Sequence, residues 1–403
     1  MEYTNDLRLP GMLYAKPVLS TEHHARIVRI DSRAAERVRG VRAVATAEDC
    51  PHNTGGFILP DQPVFAEGKV RYRGEIVALV AADTEAIARE AAQLVEVEYE
   101  PLPPVFDPRA AMEPDAPLIH EEGEGAWCRG NVVLHQGRDH MTLRHGDVEQ
   151  GFAESDLVVE RSFATSPQRC APIESHACIV RPDGPDKVTV IANSQMPFSH
   201  QPLIARALGL PLNAVRIIVP PMGGGFGQKN SLTIEADVAV LALKVGRPVK
   251  WALTTEEDFR YSSTKIPTYL TYKMGCSSEG ILRAVHRIHI GNAGAYGSSS
   301  ILMMGKCTMV GSGPYLIPHQ LAESWIVYTN KCPSAAFRGF GVSQPTFAVE
   351  IMMDIIADKL GMDPLQLRLQ NVIHDGDRAG TGQVMRAVGI EACLNKVADL
   401  CGW

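Results

Sequence analysis

The sequence predicts an α+β protein of two units joined by a long connection, and three stretches carry that reading. Residues 75–82 form a near-continuous apolar run, 84–93 have helical spacing and 94–99 alternate, giving a strand–helix–strand order. Residues 215–219 read as a strand, and the turn Met222-Gly223-Gly224-Gly225-Phe226-Gly227-Gln228-Lys229-Asn230 joins it to a helical segment over 232–245. Residues 281–294 form a long alternating strand.

The bulk properties agree with this and exclude several classes. With 403 residues, 45% hydrophobic and 21% charged, the chain can bury the cores of two or three domains. A net charge of −7 without a basic stripe argues against nucleic-acid binding. No apolar run has the length of a membrane span, and the start of the chain lacks a basic-then-apolar leader. The nine cysteines include no C-x-x-C pair, so neither a disulfide framework nor a zinc or iron–sulfur site is indicated. These features predict a cytoplasmic protein in a reducing compartment.

In the first unit, residues 1–118, short strands are expected at 13–14 and 27–30 and a helix at 32–37 capped by Ser32. Thr84 caps the helix over 84–93, and Pro101, Pro103 and Pro104 close the unit. His23 and His24 lack a carboxylate or thiol at ligand spacing and read as a solvated turn. Residues 119–146, within a Pro-, Gly- and Glu-rich stretch, read as a linker, with Glu121-Glu122-Gly123-Glu124 as a solvated face. The second unit, 147–403, opens near Asp147 with a strand over 158–163. Glu174 and His176 precede further alternation and read as structural hydrogen-bonding groups, not an acid/base pair. A strand over 188–192 ends in Asn193-Ser194-Gln195-Met196-Pro197, and Ser199 is expected to cap a helix that stops at Gly209. Further strands and helices follow: a strand at 248–253, a short acidic-ended helix near Glu256-Glu257-Asp258, and helices over 347–360 and 365–370. The histidines of the 281–294 strand are expected on its exposed face.

The glycine turn is the candidate site. Its glycines free the backbone for positive φ and close approach, and the following helix N-terminus is expected to add unpaired amides facing an anion. A P-loop needs Gly-Lys-Ser/Thr, but Gln228 separates Gly227 from Lys229. A dinucleotide fingerprint needs a third glycine opening the helix and an acid farther on, and neither is present. Gln195 lies on another strand-to-helix loop, and such loops gather on one sheet edge, where ligands bind. An uncharged amide there donates a hydrogen bond without adding charge.

The turn resembles the Gly-Gly-Gly-Phe-Gly turn of the molybdenum hydroxylases, the family of xanthine dehydrogenase, aldehyde oxidoreductase and nicotinate dehydrogenase. Ala336-Phe337-Arg338-Gly339-Phe340-Gly341, followed by Gln344-Pro345, is similar to a second signature of that family. The helix pair carrying Arg368 and Asn371 matches too, and Pro10-Gly11-Met12-Leu13-Tyr14 and Tyr72-Arg73-Gly74-Glu75 resemble its small α/β hammerhead domain. The resemblance covers nearly the whole chain in consistent order. It implies a hammerhead domain over 1–118 and the first molybdopterin-binding domain over 147–403. It further implies hydroxylation of an aldehyde carbon or of a carbon next to a ring nitrogen. The oxygen would come from water, and electrons would pass from a molybdenum–molybdopterin centre to [2Fe-2S] clusters and FAD.

Position by position, the resemblance implies that Gln195 hydrogen-bonds the apical oxygen of molybdenum. Gly224, Gly225, Phe226 and Gly227 would lie against the cofactor, Arg338 near the metal's oxygen ligands and Phe340 against the substrate ring. No side chain of this chain would ligate the metal directly. Two positions depart from the xanthine-hydroxylating pattern: Asn230 stands where those enzymes carry a glutamate, and Lys306 where they carry an arginine. Asn230 cannot exchange a proton and Lys306 cannot form a planar fork, which argues against xanthine and for a small aromatic acid resembling nicotinate. The family's catalytic glutamate, in a Gly-x-Gly-Glu-like motif, has no counterpart here, and Glu235 and Glu350 read as packing residues. The resemblance therefore implies a split molybdenum subunit. A second molybdopterin-binding subunit would bring the base, a [2Fe-2S] and a FAD subunit would complete the assembly, and the pterin would be the cytosine dinucleotide form. Alternatives are an aldehyde oxidoreductase subunit, or a scaffold for cofactor assembly that has lost its chemistry. Carbon monoxide oxidation would need a cysteine in the arginine loop, and 336–341 contains none.

Overall fold

The computed structural model describes residues 2–56, 58–121 and 127–403. The first part of the chain forms β1 (Leu13–Leu19), β2 (Ala25–Asp31), α1 (Arg33–Glu36), β3 (Val41–Ala45), β4 (Lys69–Val70), β5 (Ile76–Ala82), α2 (Glu85–Ala92) and β6 (Glu96–Pro101). Then come β7 (Cys128–Arg129), β8 (Val132–Val133), β9 (Met141–His145), α3 (Val148–Ala153) and β10 (Leu157–Ala164). The region around the candidate site is built from β11 (Ala177–Pro182), β12 (Val188–Ala192), α4 (Pro197–Ala207), β13 (Val215–Ile218), α5 (Glu235–Val245), β14 (Val249–Ala252) and α6 (Thr255–Tyr261). The last third adds β15 (Thr264–Lys265), β16 (Thr268–Cys276), β17 (Leu282–Gly294), α7 (Ser300–Val310), β18 (His319–Tyr328), β19 (Ser334–Ala335), α8 (Ser343–Leu360), α9 (Pro364–Leu369) and α10 (Ile390–Cys401).

Two seven-stranded sheets organise the chain. The first has the order β13-β12-β11-β14-β1-β5-β3, so strands from the start of the chain and from 177–252 share one sheet, joined where Leu13 and Tyr14 pair in parallel with Val249 and Lys250. Strand β5, which lies between β1 and β3, is buried at every residue, which is why its sequence is a continuous apolar run without alternation. Helices α4 and α5 and the fully buried Trp251 fill one core against this sheet. The second sheet has the order β10-β16-β17-β18-β8-β7, with β9 also pairing to β18, and α7 and α8 pack in its core. The expected strand–helix–strand unit is present as β5, α2 and β6, but its strands enter different sheets, β6 pairing with β2 in a three-stranded sheet.

Several expectations need correcting. The 119–146 stretch is no bare linker: β7, β8 and β9 pair into the second sheet, their short runs offering too little periodicity to be read. Of the acidic run there, Glu121 pairs with Lys69 at 2.9 Å, and Glu122, Gly123 and Glu124 lie outside the described residues. Ser32 makes no capping bond; Asp31 Oδ1 accepts the Arg33 N–H instead. Ser199 lies inside α4, which starts at Pro197, a ring already fixed at helical φ. Thr84 does cap its helix, and the structure adds Thr254 and Asp363 as caps of α6 and α9. His24 is buried, its ring bonded to the Pro103 carbonyl, and does not sit in a solvated turn. On β17, His289 is fully buried beside the equally buried Arg287, not on an exposed face, because β17 lies between β16 and β18 with helices over both sides. Among the described residues no helix is long and apolar enough to cross a membrane, and no cluster of His, Cys, Asp and Glu could hold a metal ion.

Candidate active site

The glycine turn follows β13 and is anchored from below. Glu174 and Lys229 are both buried; Glu174 Oε2 accepts the Gly223 N–H at 2.7 Å, and Lys229 Nζ donates to the Glu174 carbonyl at 2.7 Å. Beside them, Gln228 donates to Asp258 at 2.9 Å, and the other Asp258 oxygen lies 2.6 Å from His176 Nδ1. Burial raises the Asp258 carboxyl, but the bond and charge of His176 outweigh it and hold the group below its usual range. Glu174 and His176 are thus parts of the floor of the site, as their alternation suggests.

The top of the turn is open. Gln195 Oε1 accepts the Gly227 N–H at 2.9 Å, and its backbone N–H donates to the Lys229 carbonyl at 2.9 Å. Because the oxygen is fixed by an N–H donor, the side-chain NH₂ of Gln195 is the end left free, and it has no acceptor among the described residues. The backbone N–H groups of Gly224, Gly225 and Phe226 likewise have no acceptor among the described residues. The fit is close: a Cβ at Gly225 would lie 2.6 Å from Gln195 Oε1.

The expected anion site changes here in one respect. Helix α5 begins at Glu235, well beyond the turn, and Glu235 Oε2 accepts the N–H groups of Thr233 and Ile234. A buried carboxylate thus occupies that helix start, and the open donors belong to the turn itself. Glu235 holds the backbone just ahead of α5, and Glu350 accepts from Tyr315 and Arg368, so both acids are engaged away from the turn amides.

The arginine loop meets the glycine turn directly, since the Arg338 N–H donates to the Phe226 carbonyl at 2.8 Å. The Arg338 side chain is exposed and pairs with no carboxylate among the described residues. Helix α7 presses on the same loop: a Cβ at Gly341, where φ is +79°, would lie 2.1 Å from the Met303 carbonyl oxygen and 3.1 Å from Lys306 Cβ. That contact brings the exposed Lys306 beside Phe340, which is half-buried against the second core. Asn230 is half-buried at the end of the turn, its N–H donating to the Gly227 carbonyl at 3.1 Å. Gln195, the glycine turn, Asn230, Arg338, Phe340 and Lys306 are therefore joined by short steps into one region. Sequence reading missed the Glu174–Lys229 floor and helix α7 as a wall; an apolar helix buried along one side carries little periodic signal.

A model of the molybdopterin cofactor-binding domain matches residues 132–372, and one of the aldehyde oxidase and xanthine dehydrogenase a/b hammerhead domain matches residues 1–103. The chain belongs to the molybdenum hydroxylase family and forms part of a large subunit, with the hammerhead domain followed by a cofactor-binding domain. It is 36% identical to a probable xanthine dehydrogenase subunit of Bacillus subtilis, a match over all of this chain and 54% of that one. It is 35% identical to the nicotinate dehydrogenase large molybdopterin subunit of Eubacterium barkeri, over 99% of this chain and 91% of that one. Among solved structures, the aldehyde oxidoreductase of Desulfovibrio gigas superposes with a TM-score of 0.93 at 31% identity, covering 99% of this chain and 44% of the other. The chain thus spans about half the length of two of these proteins and nearly all of the third.

Proposed function

We propose that this chain is the hammerhead and first cofactor-binding part of a heteromeric molybdenum hydroxylase acting on a small N-heteroaromatic acid of the nicotinate type. The observation that carries this is that donors without an acceptor among the described residues lie on directly bonded loops: the Gly224, Gly225 and Phe226 amides, the Gln195 NH₂ and the exposed Arg338 guanidinium. An anionic pterin fits that donor set, and Gly225 leaves the room that the Gln195 side chain occupies, since a Cβ there would lie 2.6 Å from Gln195 Oε1.

When bound, a molybdenum–molybdopterin cofactor, in its cytosine dinucleotide form, would supply the oxidation and take oxygen from water. The turn amides would hold the cofactor's anionic groups, and Gln195 would donate to its polar edge. Arg338 would hold developing negative charge, which a preorganised guanidinium does without reorganising at the moment of reaction. Phe340 would meet the face or edge of the substrate ring. Lys306 would attract a substrate carboxylate, while Asn230 would hydrogen-bond the ring without exchanging a proton.

With Glu174, Glu235 and Glu350 engaged elsewhere, the base is assigned to a second molybdopterin-binding subunit, and [2Fe-2S] and FAD to further subunits. Exposed apolar side chains around the turn, Ile173, Phe198 and Phe226, support coverage by another polypeptide surface. So does the near full-length match to a protein described as a large molybdopterin subunit.

The test is to purify the native complex, identify its subunits by mass spectrometry and measure its molybdenum. A complex without molybdenum would favour the scaffold reading, and full activity from the isolated chain would sink the split subunit. Turnover of nicotinate, purines and aldehydes by wild type and Lys306→Met then sorts the substrates. The expected result is nicotinate turnover with a raised KM in the variant; preferred aldehyde turnover, or an unchanged KM, would remove the nicotinate assignment.

A further inference from the structure

The polar layer under the glycine turn forms a closed ring of bonds. Glu174 is 6% and Lys229 1% exposed, a depth at which charged side chains are rare unless paired. Most of their bonds go to backbone. Glu174 Oε2 accepts the Gly223 N–H at 2.7 Å, and the Glu174 N–H donates to the Gly223 carbonyl at 3.2 Å. Lys229 Nζ reaches the Glu174 carbonyl at 2.7 Å and lies 3.5 Å from Glu174 Oε2. The Lys229 carbonyl accepts the Gln195 N–H, and Gln195 Oε1 accepts the Gly227 N–H, both at 2.9 Å. The path from Gly223 through Glu174, Lys229 and Gln195 to Gly227 encircles Gly224, Gly225 and Phe226, the residues whose amides are open.

Resting on the function proposed above, we propose that Glu174 and Lys229 are positioning residues of the cofactor site, locking the turn amides and the Gln195 amide into one rigid donor array. A turn this rich in glycine has the most conformational freedom to lose, so the array needs a lock that does not occupy the donors. Both residues bond from below and leave the upper side clear. Lys229 Nζ lies 3.5 Å from Glu174 Oε2, so the two buried charges balance each other and the pair acts on the turn through its bonds. Burial lowers the Lys229 pKa, and the nearby Glu174 partly offsets this. A purely stabilising ion pair would behave differently, since buried pairs add little net stability over apolar substitutes.

The experiment uses the assembled native complex carrying Glu174→Gln, Lys229→Met or, as a distant control, Arg42→Met, which breaks an exposed pair with Asp83. Glu174→Gln keeps an acceptor for the Gly223 N–H and changes only charge, so it stays informative if Lys229→Met misfolds. Readouts are molybdenum per complex, the line positions of the Mo(V) electron paramagnetic resonance signal, subunit composition and thermal unfolding. Expected are intact subunit composition, a shifted signal, and molybdenum retention lower on the order of tenfold in both site variants, with no change in the control. Wild-type molybdenum content with an unshifted signal would overturn the proposal, as would losses that merely track unfolding. A wild-type complex that carries no molybdenum overturns the functional reading itself and, with it, this inference; the two failures are told apart by the wild-type measurement.

Discussion

Substituting Gly225 by alanine tests how the two halves of the donor array are coupled. The glycine has no left-handed φ, so alanine meets no backbone strain there. Its Cβ would, however, lie 2.6 Å from Gln195 Oε1, 2.7 Å from Cδ and 3.0 Å from Cγ. The Gln195 side chain is exposed and can swing away, giving up its bond to the Gly227 N–H. That loss is worth about 0.5–1.5 kcal/mol. Replacing glycine by alanine in a compatible conformation returns about 0.4–1 kcal/mol through the unfolded chain. Stability should therefore change by less than about 1 kcal/mol, a shift in Tm on the order of 2 °C. Turnover should fall far more, since removing one preorganised donor typically costs about 10²–10³ in kcat. The assay is a double-mutant cycle in the assembled complex with Gly225→Ala, Gln195→Ala and the pair. If alanine acts only by displacing Gln195, the double variant should be no worse than Gln195→Ala. Additive losses, or full activity in Gly225→Ala, would refute the coupling.

Three further outcomes follow from groups elsewhere in the molecule and in the arginine loop. Burial raises Asp61 to about 6, although the Gly297 N–H and the Tyr328 hydroxyl both donate to it. A raised carboxyl pKa means the native state binds the proton more tightly. Asp61 therefore costs nothing below about pH 4, and its ionisation destabilises the fold increasingly as pH rises toward 6, by about 3 kcal/mol in full. Asp61→Asn should flatten that fall, so the difference between the unfolding curves of wild type and variant should change sharply between about pH 4 and 7; parallel curves would contradict it. Arg338→Lys should retain cofactor, because its backbone bond to Phe226 is unchanged, yet lose about 10²-fold in kcat measured at saturating substrate. Thr84→Ala removes the side-chain acceptor of the Ile87 N–H at 3.2 Å and should cost about 1 kcal/mol in denaturant unfolding, with no effect on turnover.

What is legible in the sequence, and what is hidden, divides along physical lines. Elements whose boundaries rest on local chemistry are readable: the Thr84 and Asp363 caps, the stop of α8 at Gly361, and the strand 188–192 with its loop ending at Gln195. The motif loops are readable because glycine at such density has few structural uses. Long-range sharing of elements is not. Nothing local to residues 13–14 says that they pair with 249–250, and nothing in the alternation of β17 says that both of its faces are covered. His289 is misplaced by sequence reading for that reason: period-two patterning reports a polar face, but a hydrogen-bonded polar face, here shared with Arg287, can also be buried. The Glu174–Lys229 floor stays hidden because its bonds go mainly to backbone atoms, which leave no trace in residue type.

The places where local rules are broken are themselves informative. Phe226 and Phe340 hold φ of +53° and +22°, which non-glycine residues seldom adopt, and each stands among glycines that would adopt it freely. If only the turn mattered, glycine would serve at both positions without the strain, so the aromatic side chains must be retained for what they face. Phe226 is 47% exposed, so little of its apolar surface is recovered within the chain. The strain is carried by the surrounding structure: Phe226 by its carbonyl bond to Arg338, and Phe340 by its N–H bond to the Phe337 carbonyl at 2.7 Å. Two strained aromatics stand on loops that the Arg338 N–H to Phe226 carbonyl bond joins, and the turn that carries Phe226 is tied to a buried ion pair, which describes a structure organised toward something that lies outside this chain.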